Sequence, residues 1–423
     1  MKRPHELVII ADDLTGANDS GIQLAKKGRC AKVFFNAEDA IEHGEDVTIL
    51  DTDSRALSPS IAYHCIASLI NELKEIAPTP HFYKKIDSTL RGNLGAEINA
   101  LYDSGSFDVV IIAPAFPKAG RTTKDGFHYV HDQLLHYTEV RTDPKTPVFE
   151  SHIPTLLTEQ LNQAVNHIRP SLYENPLQWE EEVERLLTTS PFVVCDATSD
   201  EDLQKIAMLH STLPYRTLWV GSAGLIEMLY DYLFTPLEIT KAESKSLPQE
   251  GQTLLVSGSA SGRTATQIEH LKQDCDIETL SINMTEITTK PAFISEYIRT
   301  LEYMLSQRRD VLLTVDKVPE HSQEDISYVI VHTLAAITAQ GVGSGQVSNL
   351  ILTGGDTAKA IVSKLGVKGI TLVKEIEDGI PLGKLIGETK CTIITKAGAY
   401  GNERSLVHAY NHVKSRDAKW ANQ

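Results

Sequence analysis

The sequence predicts an α/β fold of two domains with mainly parallel sheets and an active-site cleft between them. Three observations carry this. Short runs of wholly apolar, often β-branched residues recur along the 423-residue chain, as expected of strands covered on both faces. Stretches with helical periodicity separate many of them, the alternation that builds parallel sheets. Near the middle, "FTPLEITKAESKSLPQEGQ" (234–252) breaks the pattern with two prolines, mixed charges and no apolar period. This boundary divides the chain into domains 1–240 and 250–423.

Taken in order, the predicted strands of the first domain are 7–11, 32–35, 47–50, 108–114, 192–197 and 217–223, with "FYKKI" (82–86) as a further strand. Those of the second are 253–259, 311–315, 349–355 and 392–398. Predicted helices include 155–168, 176–188, 200–211, 322–338 and 402–413.

Composition narrows the function classes. The formal net charge is -16, a sign that repels nucleic acid and anionic membrane, so neither is expected as a partner. No apolar run approaches the roughly 20 residues that span a bilayer. The start, "MKRPHELVII", has no cleavable apolar region. Five scattered cysteines (30, 65, 195, 275 and 391) form no CxxC or Cys/His cluster. They suit a reducing cytoplasm and read as small buried hydrophobes. No metal site is expected.

Parallel sheets bind ligands beyond the carboxyl ends of their strands. In the first domain those ends read "ADDLTGANDSG" (11–21), "DTDSR" (51–55), "DSTLRGN" (87–93) and "AFPKAGRTTKDGFHYV" (115–130). Any one could be a helix cap or turn. Four together favour a shared polar pocket. Asp carboxylates accept hydrogen bonds from hydroxyls, and Arg and Lys pair with a carboxylate or phosphate. Arg55, Lys84, Lys85, Arg91, Lys118, Arg121 and Lys124 supply the cations, so the expected ligand is a small polyhydroxy anion. Lys85 and Asp87 share a face if the strand extends that far, and Lys84 is expected to point away as a bystander. His128 either lines this pocket or packs in the core. "GSAGL" (221–225) either packs closely or lines the cleft.

The second domain ends its strands in "SGSASGRT" (257–264), "TGGDTAKA" (353–360) and "KAGAYGNE" (396–403). Small residues let backbone N–H groups approach phosphate oxygens, and a helix opening behind them adds its dipole. None matches GxxxxGK[ST] or GxGxxG, which favours a nucleotide-phosphate site of another type and weighs against a dinucleotide enzyme. Asp356 sits where a helix begins. It could cap that helix, orient an attacking hydroxyl or bind a nucleotide's magnesium through water.

Together, "ADDLTGANDSG", "DTDSR", "KIDSTLRGN" and "APAFPKAGRTT", then "VSGSAS", "TGGDTA", "EIEDGIPLG" and "ITKAGAYG", resemble the four-carbon acid sugar kinases over nearly the whole chain. The resemblance implies ATP-dependent phosphorylation of the terminal hydroxyl of a C4 sugar acid. D-threonate is the first expectation, with D-erythronate, L-threonate and 3-oxo-tetronate as alternatives. By that likeness, acid binding falls to Asp12, Arg55, Lys85, Ile86, Asp87 and Ser88. Nucleotide binding falls to Ser257, Gly354, Gly355, Asp356, Thr357, Gly398 and Gly401. Asp356 is the first candidate for the catalytic carboxylate and Asp12 the second. Mg2+ follows from ATP chemistry and from no ligand set in the sequence. A cytoplasmic location is expected, and a homodimer is the base-rate oligomer. A catalytically silent sensor of acid and nucleotide is the rival class. Within the first stretch, Asp12 is read as an acceptor for substrate hydroxyls, Asp13 as its neighbour, and Thr15 or Asn18 as the helix cap.

Overall fold

The structure, a computed structural model, describes residues 5–74, 80–172, 176–234, 251–259, 261–316 and 325–414. The chain divides into two compact units, Met1–Glu238 and Ile239–Gln423. Residues 235–250 of the predicted boundary segment lie outside the described residues.

Unit 1 opens with β1 (Leu7–Ala11), α1 (Leu14–Lys26), β2 (Ala31–Phe34), α2 (Ala37–His43) and β3 (Val47–Asp51). Next come α3 (Pro59–Leu73), β4 (His81–Lys85), α4 (Leu94–Tyr102) and β5 (Val109–Ala113). A small antiparallel insert follows, made of β6 (Arg121–Lys124), β7 (Phe127–Val130) and β8 (Gln133–Leu134). The unit finishes with α5 (Ile153–Leu161), β9 (Asn166–Ile168), α6 (Pro176–Leu187), β10 (Phe192–Cys195), α7 (Asp200–Met208), β11 (Thr217–Gly221) and α8 (Ala223–Leu233).

Its main sheet runs β2-β3-β1-β4-β11-β5-β10-β9, with every neighbouring pair parallel. Every residue of β1, β3, β5 and β10 is buried, which is why these strands read as continuous apolar runs. Helix α7 is started by a capping box, in which the Ser199 side chain accepts from Asp202 N while the Asp202 carboxylate accepts from Ser199 N.

One predicted helix is shorter than expected. The stretch 155–168 stops being helical at Leu161, where Asn162 turns left-handed (φ 54°), and residues 166–168 become β9 instead. Asn tolerates that conformation and ends helices by it.

Unit 2 contains β12 (Gln252–Ser257), α9 (Gly262–Asp274), β13 (Glu278–Ile282), α10 (Met284–Thr289), α11 (Ile294–Ser306) and β14 (Val311–Val315). It continues with α12 (Asp325–Gly343), β15 (Val347–Thr353), α13 (Gly355–Lys364), β16 (Gly369–Glu377), β17 (Ile380–Ile386), β18 (Thr392–Lys396) and α14 (Ser405–Lys414). Strands β13-β14-β12-β15-β18 are parallel, and the hairpin β17-β16 joins antiparallel beside β18. The sequence-predicted strands omit β13, β16 and β17. For the hairpin a signal existed, the Asp378–Gly379 pair between two strands.

Residues 322–324 of the predicted helix 322–338 lie outside the described residues. Helix α12 is long and apolar enough by composition to cross a membrane, yet half of that window is buried inside the protein. It packs against α11 and α13, as a core helix does. The core of unit 2 gathers Leu255, Leu312, Ile351 and Ile394 from the sheet with Leu406 and Tyr410 from α14.

Candidate active site

Strand register builds the first half of the site. Ala11 is level with Asp51 on one side and Lys85 on the other. Gly221 is level with Lys85 and Ala113. The ends of β3, β1, β4, β11 and β5 therefore form one contiguous edge, and the segments 12–21, 52–55 and 86–93 leave from it.

At this edge Arg55 is the hub. Its Nε and Nη2 donate to the two oxygens of Asp12 (2.7 and 3.1 Å), while Nη1 and Nη2 donate to those of Asp13 (2.8 and 2.6 Å). Two carboxylates thus grip one guanidinium in forked geometry. Burial alone would raise the Asp12 pKa, but the Arg55 charge, its hydrogen bonds and the nearby Lys84 and Lys85 together leave it lowered. Arg55 itself, despite burial, is held well above its ordinary value by Asp12, Asp13 and Asp87.

The cap of α1 differs from the sequence expectation. Asp13, not Thr15 or Asn18, is the N-cap, its side chain accepting from Gly16 N at 2.9 Å. A carboxylate there also meets the positive end of the helix dipole. Asp13 therefore has two jobs, capping α1 and holding Arg55.

Asp87 lies in the turn beyond β4, which ends at Lys85. It accepts from Arg91 Nε (2.7 Å) and Thr89 Oγ1 (2.5 Å), and Arg91 Nη1 reaches Asp143 at 3.1 Å. Burial opposes its ionisation, yet Arg91 and Arg55 hold its pKa well below the usual range. The Ile86 side chain is buried core. Its N–H donates to Gly221 O, and its carbonyl accepts from Lys85 Nζ at 2.9 Å. Ser88 is half-buried, and its carbonyl meets His128 Nε2 at 2.8 Å.

Lys85 stands apart from the other cations. It is 4% exposed, and among the described residues its ammonium has no carboxylate partner and one hydrogen bond, to Ile86 O. It reaches the start of α1, where a Cβ at Gly16 would come within 2.9 Å of Nζ. A buried ammonium with two spare donors beside a helix N-terminus is chemically suited to an anion.

Lys84 is not the bystander its strand parity predicts. It is wholly buried, its Nζ 2.5 Å from Glu97 Oε2 and donating to Ile10 O and Lys85 O. Glu97 in turn accepts from Ser54 Oγ at 2.8 Å, and Ser54 Oγ bonds Thr52 Oγ1 at 2.7 Å. This chain of contacts runs under the same strand ends. Sequence reading missed Glu97, although an acid inside the apolar helix "LGAEINALY" is itself a signal of a buried partner.

Other expectations resolve as structure. His128 is buried, bonded to Ser88 O and Thr123 Oγ1, and burial takes its pKa down to about 4. Lys118 is engaged by Glu227 (2.7 Å) and Asp200 (3.7 Å), Arg121 donates to Ala119 O, and Lys124 is exposed. Ser222 caps α8, and Gly221 packs against Ala113 O and Tyr83.

In unit 2 the same register logic holds. Ser257 is level with Thr353, and Thr353 with Lys396. The loops after β12, β15 and β18 thus leave one edge side by side. They also touch: Gly354 N donates to Lys396 O (2.9 Å), and Thr264 Oγ1 donates to Gly398 O (2.8 Å). Ser257 and Thr357 are buried, whereas Asp356 is exposed. Gly354, at φ +104°, is the N-cap of α13, so Asp356 belongs to the first turn and is not the cap. Gly355 opens that helix, and Gly398 and Gly401 lie in the loop after β18. The carboxylates in these three loops are Asp356 and Glu403, and Glu403 lies 3.8 Å from His270 Nε2. Backbone N–H groups, hydroxyls and the exposed Asp356 suit the phosphates of a nucleotide and an accompanying Mg2+.

Comparison with known proteins follows the same division. Residues 7–229 match a sugar-binding N-terminal domain and residues 254–406 a nucleotide-binding C-terminal domain. The chain is 31% identical to a D-threonate kinase of Salmonella typhimurium, covering 97% of this chain and 98% of the relative. It is 32% identical to a D-erythronate kinase of Heliobacterium modesticaldum, covering 97% of each. A crystal structure of a Haemophilus influenzae protein shares the fold, with a TM-score of 0.76 at 24% identity over 96% of this chain and 100% of that one. The chain belongs to the four-carbon acid sugar kinase family.

Proposed function

We propose that this protein transfers the γ-phosphoryl group of ATP to the terminal 4-hydroxyl of a four-carbon sugar acid, with D-threonate as the acceptor. The observation that carries the acid half is Lys85, a buried ammonium with spare donors beside the start of α1. It receives the substrate carboxylate. Four of the five N–H donors of Arg55 are engaged by Asp12 and Asp13, so its main part is to fix these carboxylates. Their remaining lone pairs, with those of Asp87, accept hydrogen bonds from the substrate hydroxyls.

The donor half rests on the loops at 257–264, 353–357 and 396–401, whose Ser257, Gly354, Gly355, Thr357, Gly398 and Gly401 take the nucleotide. Asp356 would hold the magnesium ion that accompanies ATP, and the ion would neutralise charge on the phosphates. Phosphoryl transfer depends mostly on positioning and charge neutralisation, so the carboxylate nearest the reacting groups orients more than it deprotonates. Asp356 is assigned that role. Asp12, bound through both oxygens to Arg55 and lowered in pKa, is too weak a base to compete and serves as a substrate anchor.

The same chemistry on D-erythronate is the second reading, favoured by the similarity to the Heliobacterium relative. The test is incubation with ATP and Mg2+ and a panel of D-threonate, D-erythronate, L-threonate and 3-oxo-tetronate, following ADP release. D-threonate is expected to give the highest kcat/KM. A different preferred acid replaces the substrate assignment, and no acid-dependent ADP from any of them removes the kinase reading.

A further inference from the structure

Asn93 stands at the N-cap of α4 but does not cap it. Asparagine is favoured at such a position because its side-chain oxygen accepts from the second or third N–H of the helix. In α4 the second of these, Gly95 N, donates instead to Gln160 Oε1 of α5 at 2.8 Å. The Asn93 amide is turned to a different segment. Its Nδ2 donates to Leu57 O (2.8 Å), Ser54 O (3.0 Å) and Arg55 O (3.3 Å). Two N–H groups are shared among three carbonyls, and only the NH2 end of the amide can donate to them.

Other contacts join the same parts of the chain. A Cβ at Gly92 (φ +96°) would sit 3.0 Å from Arg55 Cγ and 3.4 Å from its Cα, so the turn after β4 lies directly on Arg55. Ser54 Oγ donates to Glu97 Oε1 of α4, and Arg55 Nη2 lies 4.0 Å from Asp87 Oδ1. On its other side, Arg55 N donates to Asp12 O at 3.3 Å. The segment after β3 is thus fixed to the turn after β4 and to the start of the segment after β1. Both the first and the second of these contain a non-glycine residue at positive φ, Asp53 at 50° and the buried Leu90 at 59°. Such backbone persists only where the surroundings hold it.

We propose that Asn93 is a positioning residue of the acid site. Its amide ties the backbone of Arg55 to the turn that carries Asp87, and so holds the carboxylates of Asp12, Asp13 and Asp87 at one spacing before the acid arrives. Groups fixed in advance lose less freedom when a ligand binds. This rests on the kinase reading and adds to it the residue that sets the geometry of the acceptor site. Neither the family resemblance nor the domain match gives Asn93 a role.

The test compares the wild type with Asn93→Asp, Asn93→Ser and Gln160→Ala. Steady-state kinetics use D-threonate, D-erythronate, L-threonate and 3-oxo-tetronate as acceptors, with KM taken on the acid that the wild type turns over best. Asp and Ser are as good as Asn at an N-cap, so both variants keep the helix start while losing the amide donors. If one of them does not fold, the other decides. Gln160→Ala removes the bond that satisfies Gly95 N and leaves the Asn93 bonds in place. The expected result is a rise of about tenfold in the KM for the acid in Asn93→Asp and about threefold to tenfold in Asn93→Ser. The KM for ATP should stay within twofold in both. Gln160→Ala should lower the denaturant midpoint and leave the acid KM within twofold. A wild-type acid KM in the folded Asn93 variants overturns the positioning role and leaves the kinase reading intact. An acid KM raised as far in Gln160→Ala reduces Asn93 to a structural residue and overturns the role too. A wild type that turns over none of the four acids removes the kinase reading, and the positioning role with it.

Discussion

Lys84 Nζ and Glu97 Oε2 lie 2.5 Å apart with both side chains buried, joining the strand-end residue Lys84 to helix α4. Burial pushes the Glu97 carboxyl up in pKa against the pull of Lys84. The pair is therefore costly to desolvate and depends on both members being present.

Removing one member should show this. Glu97→Gln leaves an unpaired buried ammonium and is expected to destabilise the protein by about 3–5 kcal/mol. Lys84→Met/Glu97→Leu together should cost clearly less than the sum of the two single changes. Denaturant unfolding of the wild type, Lys84→Met, Glu97→Leu and the double variant closes the cycle, and Glu97→Gln is measured beside them. Simple additivity would mean that the two groups are not coupled.

Lys85→Met tests the anion receptor. Losing a charge-assisted hydrogen bond to the acid carboxylate costs about 1.5–3 kcal/mol, which is roughly a 10- to 150-fold rise in KM for the acid. The KM for ATP should stay within twofold. Arg55→Ala is expected to weaken acid binding as well, because Asp12 and Asp13 lose the cation that fixes them. An unchanged acid KM in Lys85→Met places the carboxylate elsewhere.

Asp356→Asn probes the donor loop. An exposed first-turn residue of α13 contributes little to packing, so the variant should fold normally. Its kcat is expected to fall by about 10²- to 10⁴-fold, the range for a positioned catalytic group, with acid affinity near the wild-type value. Steady-state kinetics with both substrates varied decides it. Full turnover would withdraw the assignment.

His128 makes an acid-limb prediction. Its folded pKa is about 4 because burial disfavours the charged ring, whereas the unfolded ring titrates near 6.5. Between these values the unfolded chain binds more protons, so stability rises with pH across the window and falls as pH drops from about 6.5 toward 4. The shift is worth about 3 kcal/mol. His128→Gln should flatten the stability-against-pH curve in that window, as read by denaturant midpoints at several pH values. A curve of unchanged slope would mean that His128 is not its source.

Much of the fold was legible in the chain because its determinants are local. The wholly apolar runs at 7–11, 109–113 and 311–315 can only be strands or helices with no wet face, and their shortness and β-branching select strand. The strand ends where Asp12, Arg55, Lys85 and Asp356 sit were legible for the same reason. Less visible were elements whose signal is weak or mixed, such as β9, three residues long behind a left-handed Asn162. The partly polar hairpin β16–β17 was another.

By itself the sequence determined the α/β class and the segments that reach the strand ends. What those residues do to one another was decided by the tertiary structure. Arg55 lies 43 residues from Asp12, and no local rule states that it is spent on two carboxylates while Lys85 keeps donors free. Strand parity sent Lys84 away from the pocket, yet the opposite face of that sheet is where α4 delivers Glu97. Lys396 ends an apolar strand in the sequence, and its ammonium meets the carbonyls of Ala397, Gly398 and Tyr400 only when the loop folds back over it. Charge partners are chosen by the strand register and helix packing that bring distant residues together, and the short-range periodicity of a chain does not encode those distances.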